Sequence, residues 1–339
     1  MTSTSPDRAR LRIALIGTGG WSAQHARYLA GNPEVDLVAI VGRTPEKTAT
    51  RAAAFGTTPY TDLGAMLDAQ HPDLVVLSLP NQLHVAPTMQ VIEAGVPLVV
   101  EKPLAFELDE AETMLREAAK RGLFFAIDFN HRWAKPVRLA KAAIEAGDLG
   151  DITFASWRFG GEGSSDHPQA NLIETQCHGF DMLEYLAGPI ASVMAEMTDM
   201  TGKGLSTHAI SLRFEQGAVG SLIGSYDSSY AYQETHRVEI NGTQGRILIA
   251  DTVRRYEFQR AGSETAEVWQ AGYFNDRDRE FHRTLDRHMD AVLAAFRAGD
   301  PPPVHAEAGL RALQLAHASI QSFERGRRVA TPISEIPTT

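Results

Sequence analysis

A short apolar run, Leu11-Arg12-Ile13-Ala14-Leu15-Ile16, passes without a linker into Gly17-Thr18-Gly19-Gly20-Trp21-Ser22 and then into a helical pattern over residues 21–30. Strand, glycine turn and helix in this order form the fingerprint of a dinucleotide-binding unit. Gly17 supplies the tight turn. Gly19 lets the backbone approach a pyrophosphate at the positive end of the helix. The third position is Ser22 rather than glycine or alanine, which is expected to loosen strand–helix packing.

The next strand, residues 35–41, ends in Val41-Gly42-Arg43-Thr44, with Lys47 nearby. Gly42 stands where a carboxylate would bond the ribose 2′-hydroxyl of NAD. Arg43 offers a planar cation for the adenine and for a 2′-phosphate. Together they favour NADP over NAD, with Thr44 and Lys47 at the same edge of the cofactor. Helices over 45–55 and 63–69 follow, then a strand over 73–79 that stops at Pro80-Asn81-Gln82-Leu83-His84. Proline ends the ladder there and starts a loop over the cofactor. Leu79, Pro80, Asn81 and His84 therefore join Gly17, Gly19, Gly20, Trp21 and Ser22 as cofactor-site candidates.

A helix over 84–94 ends at Gly95, and a strand over 96–100 runs into Glu101-Lys102-Pro103. A lysine where a parallel strand ends reaches the crevice in which open α/β sheets bind ligands. Glu101 and Lys102 are accordingly counted with the cofactor site. A helix over 108–121 and a strand over 123–128 complete an unbroken alternation, which predicts a doubly wound parallel sheet.

The chain has 339 residues, enough for two domains. Its net charge of -10, without any basic run, argues against nucleic acid or an anionic membrane as partner. The single cysteine, Cys177, excludes an intrachain disulfide framework and a cysteine-cluster metal site, and no metal is expected. No apolar run is long enough to span a bilayer, and the first ten residues are polar. The expected location is cytoplasmic.

The second half reads differently. After a helix over 135–145 and a turn-rich connector over 146–150, a strand over 152–159 leads out of the first domain. Residues 171–189 read as one helix stopped by Gly188-Pro189. On it Ile173, Cys177, Phe180, Leu183 and Ala187 form an apolar stripe, while Glu174, His178, Asp181 and Tyr185 share a polar face. Period-two strands follow over 190–200, 207–215, 218–226, 236–241, 245–250 and 254–259. They predict a large, mostly antiparallel open sheet in an α+β domain, one face on helices and the other free for a subunit interface. A long helix over 275–297, a break at Pro301-Pro302-Pro303 and a last helix over 306–325 close the chain.

Gly17-Thr18-Gly19, Pro80-Asn81 with His84, Glu101-Lys102-Pro103, Phe129-Asn130-His131-Arg132 and the His178 segment, in this order, resemble the Gfo/Idh/MocA oxidoreductase family. The resemblance implies a Rossmann domain over 1–130 and a substrate and oligomerisation domain over 131–339, with the last helix returning to the first domain. It implies an enzyme that moves a hydride between NAD(P) and a secondary alcohol or ketone of a sugar, inositol or related cyclic polyol held between the domains. Lys102 would be catalytic or substrate-orienting and His178 catalytic. Glu174 stands where the family commonly has aspartate, and Asp181 either orients the imidazole or supports the fold. Arg132, Trp157, Arg158 and His167 are further candidate substrate contacts. A homodimer or homotetramer through the second sheet is expected. The competing functions are a glycosidase that oxidises its sugar only transiently and a non-enzymatic dinucleotide-binding regulator.

Overall fold

The computed structural model describes residues 10–163 and 167–333. The first nine residues, three of the loop 160–169, and the last six lie outside the described residues. The chain divides into two units.

The first unit takes the chain up to Asp128, together with Ala291–Ala306. Its elements are β1 (Leu11–Ile16), α1 (Gly20–Gly31), β2 (Val35–Val41), α2 (Pro45–Ala54), β3 (Thr58–Tyr60), α3 (Leu63–Gln70), β4 (Leu74–Leu77), α4 (Val85–Glu93), β5 (Leu98–Glu101), α5 (Leu108–Lys120) and β6 (Phe125–Asp128). The strands β4, β5 and β6, and β1 from Ile13 onward, are short, mainly apolar runs buried on both faces, the pattern of a parallel sheet covered on each side. All six strands pair in parallel, in the order β3-β2-β1-β4-β5-β6. The order reverses between β1 and β4, so the ligand crevice of such a sheet lies at their carboxyl ends. β3 carries too few residues for a periodic signal and exists through its pairing with β2. Ala291–Ala306 docks on the β6 edge: Ile127 N donates to Val304 O at 3.1 Å and Ala306 N to Phe125 O at 3.0 Å.

The second unit takes Phe129–Asp290 and the chain from Glu307 onward. It contains α6 (Lys135–Glu145), β7 (Ile152–Gly160), α7 (Cys177–Ala187), β8 (Ile190–Thr198), β9 (Thr207–Phe214), β10 (Val219–Ser225), β11 (His236–Gly242), β12 (Gly245–Ala250), β13 (Arg255–Arg260), β14 (Glu267–Gln270), α8 (Asp276–Arg279), α9 (Arg283–Ala298, whose last turns belong to the first unit), α10 (Glu307–Arg325) and β15 (Val329–Ala330). Nine strands form one sheet in the order β14-β13-β12-β11-β7-β10-β9-β8-β15. Every pairing is antiparallel except β7 with β10. α7 packs on β7, and α10 packs on β8 and α7.

Three expectations are corrected here. The last helix lies on α7 and β8 of its own unit, because its buried stripe of Leu310, Leu313 and Ala316 is matched there and Arg311 bonds Glu184 of α7 at 2.8 Å. The segment that belongs to the first unit is the one before it. The helix over 275–297 breaks into α8 and α9, because Phe281 sets its ring edge-on to His131 (5.3 Å, 88°) and Asn130 Nδ2 donates to Thr284 Oγ1 at 2.8 Å. The helix over 171–189 begins as one π-helical turn, Asn171–Thr175, closed by Gln176 N to Asn171 O at 2.9 Å.

Candidate active site

The glycine turn is shaped as the fingerprint requires. Gly17 has φ +129°, and a Cβ there would stand 1.9 Å from Ser78 O at the end of β4, so no other residue fits. A Cβ on Gly19 would meet nothing within 4 Å, and no side chain caps α1. The start of this helix is open to an anion such as a pyrophosphate. Ser22 does not loosen the packing: its buried hydroxyl donates to Gly17 O at 2.7 Å and ties helix to turn.

At the end of β2, a Cβ on Gly42 would fall 2.5 Å from both Thr18 Cγ2 and Thr48 Oγ1, so a larger residue is excluded by packing. Arg43, Thr44 and Lys47 are exposed beside it. Arg51 was missed by sequence reasoning. It lies one helical turn beyond Lys47 and donates to Thr18 O at 3.1 Å, bringing a guanidinium to the glycine turn.

Lys102 is half-buried at the end of β5, and both its neighbours are pinned. The Glu101 carboxylate is 5% exposed and accepts from His25 Nε2 of α1 at 2.7 Å; Asp128, register partner of Glu101 on β6, has Oδ2 3.7 Å from the same nitrogen. Burial and the Asp128 charge push Glu101 up to about 7, against the pull of His25. Burial pushes the His25 imidazole down, but the two carboxylates outweigh it and raise it. Glu101 and His25 thus both hold a proton more tightly than they would in water. At 2.7 Å, His25 and Glu101 stand at hydrogen-bond distance, closer than two ligands of one ion. On the other side, Pro103, after a cis peptide bond, has its carbonyl 2.8 Å from His84 Nδ1, whose Nε2 is 3.0 Å from Leu79 O. Burial holds His84 below its ordinary range, so the neutral ring donates only one of these bonds. Glu101 and His84, expected at the cofactor, have their side chains tied to His25 and to the Pro103 and Leu79 carbonyls. His25 and Asp128 went unseen because nothing in a sequence announces which helix faces which strand end.

In the second unit the turn Phe129-Asn130-His131-Arg132 organises the site. The His131 ring stacks on that of His178 (4.0 Å, 4°), while Phe129 meets His178 edge-on at 5.8 Å. Arg132 gives Nε and Nη2 to the two oxygens of Asp181 at 2.9 and 2.5 Å and lies 4.7 Å over the Tyr185 ring. Burial lifts the Asp181 carboxyl against the pull of Arg132; burial pulls Arg132 down, but Asp181 outweighs it. The bidentate geometry is that of an ionised pair. Asp181 therefore anchors Arg132, and Arg132 is a clamp with two donors committed rather than a free substrate contact. α7 is buried almost all round, including His178 and Asp181, so the expected polar face is not a solvated one. Glu174 lies in the π-helical turn, out of the regular one-turn relation to His178 that the sequence implied.

Two further expectations change. Trp157 is 1% exposed and gives Nε1 to Gln176 Oε1 at 2.9 Å, so it packs beneath the site. Arg158 is exposed on the opposite face of β7 from Trp157 and Phe159, as strand alternation demands. His167 is half-buried and accepts from Gln169 N at 3.2 Å. His131 and His236 were not foreseen as site residues.

Beyond His131 opens a cavity of about 500 Å³. Phe159, Tyr230, Tyr232, Phe281, His131 and His236 contribute its rings, and Thr252, Asp251 and Arg254 lie at its polar side. His236 is buried, with Nδ1 2.5 Å from Thr252 Oγ1 and Nε2 without a hydrogen-bond partner among the described residues. Burial, then the nearby His131, holds it well below its ordinary range, and it is neutral.

Residues 11–129 match the model of an oxidoreductase family with an NAD-binding Rossmann fold, and residues 141–331 match that family's C-terminal alpha/beta domain. Myo-inositol 2-dehydrogenase of Thermotoga maritima is 26% identical over 94% of this chain and 98% of its own. D-glucoside 3-dehydrogenase of Escherichia coli is 26% identical over 94% and 97%. Among solved structures, levoglucosan dehydrogenase in complex with NADH and levoglucosan superposes with a TM-score of 0.85 at 22% identity, over 96% of this chain and all of its own. An oxidoreductase from Agrobacterium radiobacter in complex with NAD+, L-tartaric acid and magnesium gives 0.85 at 20% identity, over 95% and 99%. The two domain matches follow one another along nearly the whole described chain, and the protein belongs to the Gfo/Idh/MocA oxidoreductase family.

Proposed function

We propose that this protein is an NAD(P)-dependent dehydrogenase acting on a secondary alcohol of a sugar, inositol or related cyclic polyol. Bound NAD(P) supplies the hydride acceptor at nicotinamide C4. His178 takes the hydroxyl proton as the hydride leaves the carbon. Lys102 donates a hydrogen bond to a substrate oxygen and stabilises its developing charge. The observation that carries this reading is the pinning of Lys102 at a parallel strand end, with Glu101 held by His25 and the Pro103 carbonyl 2.8 Å from His84. A binding module that only senses dinucleotide has no use for a lysine so fixed, nor for a buried histidine stacked on a second one. The relatives that share this chain's length act, by their names, on myo-inositol and on D-glucosides.

The preferred cofactor is NADP. Gly42 leaves no carboxylate for a ribose hydroxyl, and Arg43 and Lys47 stand exposed beside it. The outer face of the second sheet, with Phe154 and Ile223 exposed, serves self-association as a dimer or tetramer. The test is titration of the purified protein with NADP and with NAD, then a panel of sugars and inositols followed through reduced-nicotinamide absorbance. Turnover on one polyol is expected, and Arg43→Ala weakens NADP by about tenfold while leaving NAD nearly untouched. Binding of neither dinucleotide would end the proposal.

A further inference from the structure

We infer that the aromatic cavity beside His131 is a subsite for a second ring, and that the substrate is a glycoside rather than a free single-ring polyol. The inference rests on the dehydrogenase reading and extends it. His178 is not part of the cavity wall; His131 is, and its ring separates the two by one stacking distance of 4.0 Å. A carbon that reacts at His178 therefore leaves the cavity to another part of the same molecule. A six-carbon ring with its hydroxyls fills roughly 180 Å³ at interior packing density. The cavity, at about 500 Å³, is far larger.

The lining says what that other part is. Phe159, Tyr230, Tyr232 and Phe281 offer ring faces, which hold the flat apolar side of a ring. Tyr230 and Tyr232 remain 58% and 64% exposed, apolar surface left uncovered at a cavity mouth. Their loop is built to stay there. Asp227 at its start accepts from Ser206 at 2.6 Å and from Thr207 at 2.8 Å, and Thr235 at its end donates to Gly160 O at 2.6 Å. A Cβ on Gly161 would fall 2.3 Å from the Tyr230 ring, so the glycine makes the space that lets the tyrosine lie over the end of β7. The buried His236 lines the same cavity, and its Nε2 has no hydrogen-bond partner among the described residues. An aromatic wall facing a polar side of Thr252, Asp251 and Arg254, with His236 between, suits a ring that carries hydroxyls or a glycosidic oxygen.

The experiment compares three substrates of one sugar with the intact protein and its preferred dinucleotide: the free sugar, its aryl glycoside and a disaccharide. The expected result is a kcat/KM about tenfold or more higher for a two-ring substrate, through a lower KM. The aryl and disaccharide arms distinguish an aglycone from a second sugar. In Tyr230→Ala and, separately, Tyr232→Ala, the advantage of the two-ring substrate falls by a larger factor than the rate on the free sugar. Both side chains are exposed, so the fold survives their loss. Equal or better kcat/KM for the free sugar, or a two-ring advantage unchanged in both variants, overturns the subsite and leaves the dehydrogenase standing. Absence of turnover on all three, with dinucleotide bound, overturns both.

Discussion

Two buried polar clusters, one in each unit, meet the cost of burial in opposite ways. Beside Lys102, the His25 imidazole faces two carboxylates, Glu101 at 2.7 Å and Asp128 at 3.7 Å. Beside His178, His131 and His236 sit among Trp157, Phe159 and Phe281 as rings against rings. In the first cluster partners outweigh desolvation and the His25 value rises; in the second desolvation prevails and the His236 value falls. A charge-sharing brace on strand ends fixes a backbone position. A ring stack fixes the plane of a side chain and gives the neighbouring cavity an aromatic wall.

The sharpest break of this comparison is functional. His178→Ala is expected to lower kcat by roughly 10²–10⁴-fold while dinucleotide binding, followed by fluorescence titration, stays near wild type. Wild-type turnover in the variant would remove the ring stack from the chemistry. Next in size is His25→Leu, which leaves Glu101 and Asp128 facing one another without a cation. It should cost about 3–5 kcal/mol in urea unfolding, the range for breaking a buried charge pair. A loss below about 1 kcal/mol would show that the brace is not ionic.

The pH dependence separates the clusters by sign. His25 has a raised folded value, so the stability it contributes is complete below its unfolded value of 6.5 and is lost as pH rises through the raised one. Glu101 acts in the same direction, raised from 4.5 to about 7: its contribution is full below 4.5 and lost as pH rises through about 7. His236 has a depressed folded value, so its contribution is present above 6.5 and is lost as pH falls through that depressed value. The stability gap between wild type and His25→Gln should therefore shrink from about pH 5.5 to about pH 8.5, and that for His236→Gln should shrink in the reverse direction. Parallel trends in the two variants would refute the contrast. The smallest effect expected is that of His131→Phe, which keeps a flat ring against His178 and costs less than about 1.5 kcal/mol. A melting-temperature loss as large as that of His25→Leu would mean the stack is a polar network after all.

Much of the nucleotide half was legible because its signals are local. A strand, a turn that only glycine can make and a helix occupy consecutive residues, and the Ser78 carbonyl that forbids a Cβ on Gly17 explains why the turn reads so clearly. The lysine after β5 and the histidine of α7 also stood out in the chain, the first by its place at a strand end and the second by a shared polar face and the family resemblance. What stayed hidden lies across distance. The partners of the Glu101 and His84 side chains, His25 and the Pro103 carbonyl, are many residues away. Arg132 read as a substrate contact because Asp181 is far off in sequence. The extra residue of one π-helical turn undid an otherwise regular face from Glu174 to Tyr185.

By itself, then, the sequence determined the alternation of elements and the glycine cradle, since each depends on backbone conformations and periodicities set within a few neighbours. Only the tertiary structure decided which strand ends meet, which ionisable groups face one another, that α10 lies on α7 and β8, and that a cavity opens behind His131. Those outcomes depend on desolvation and on packing between residues brought together from distant parts of the chain, and no local pattern encodes them.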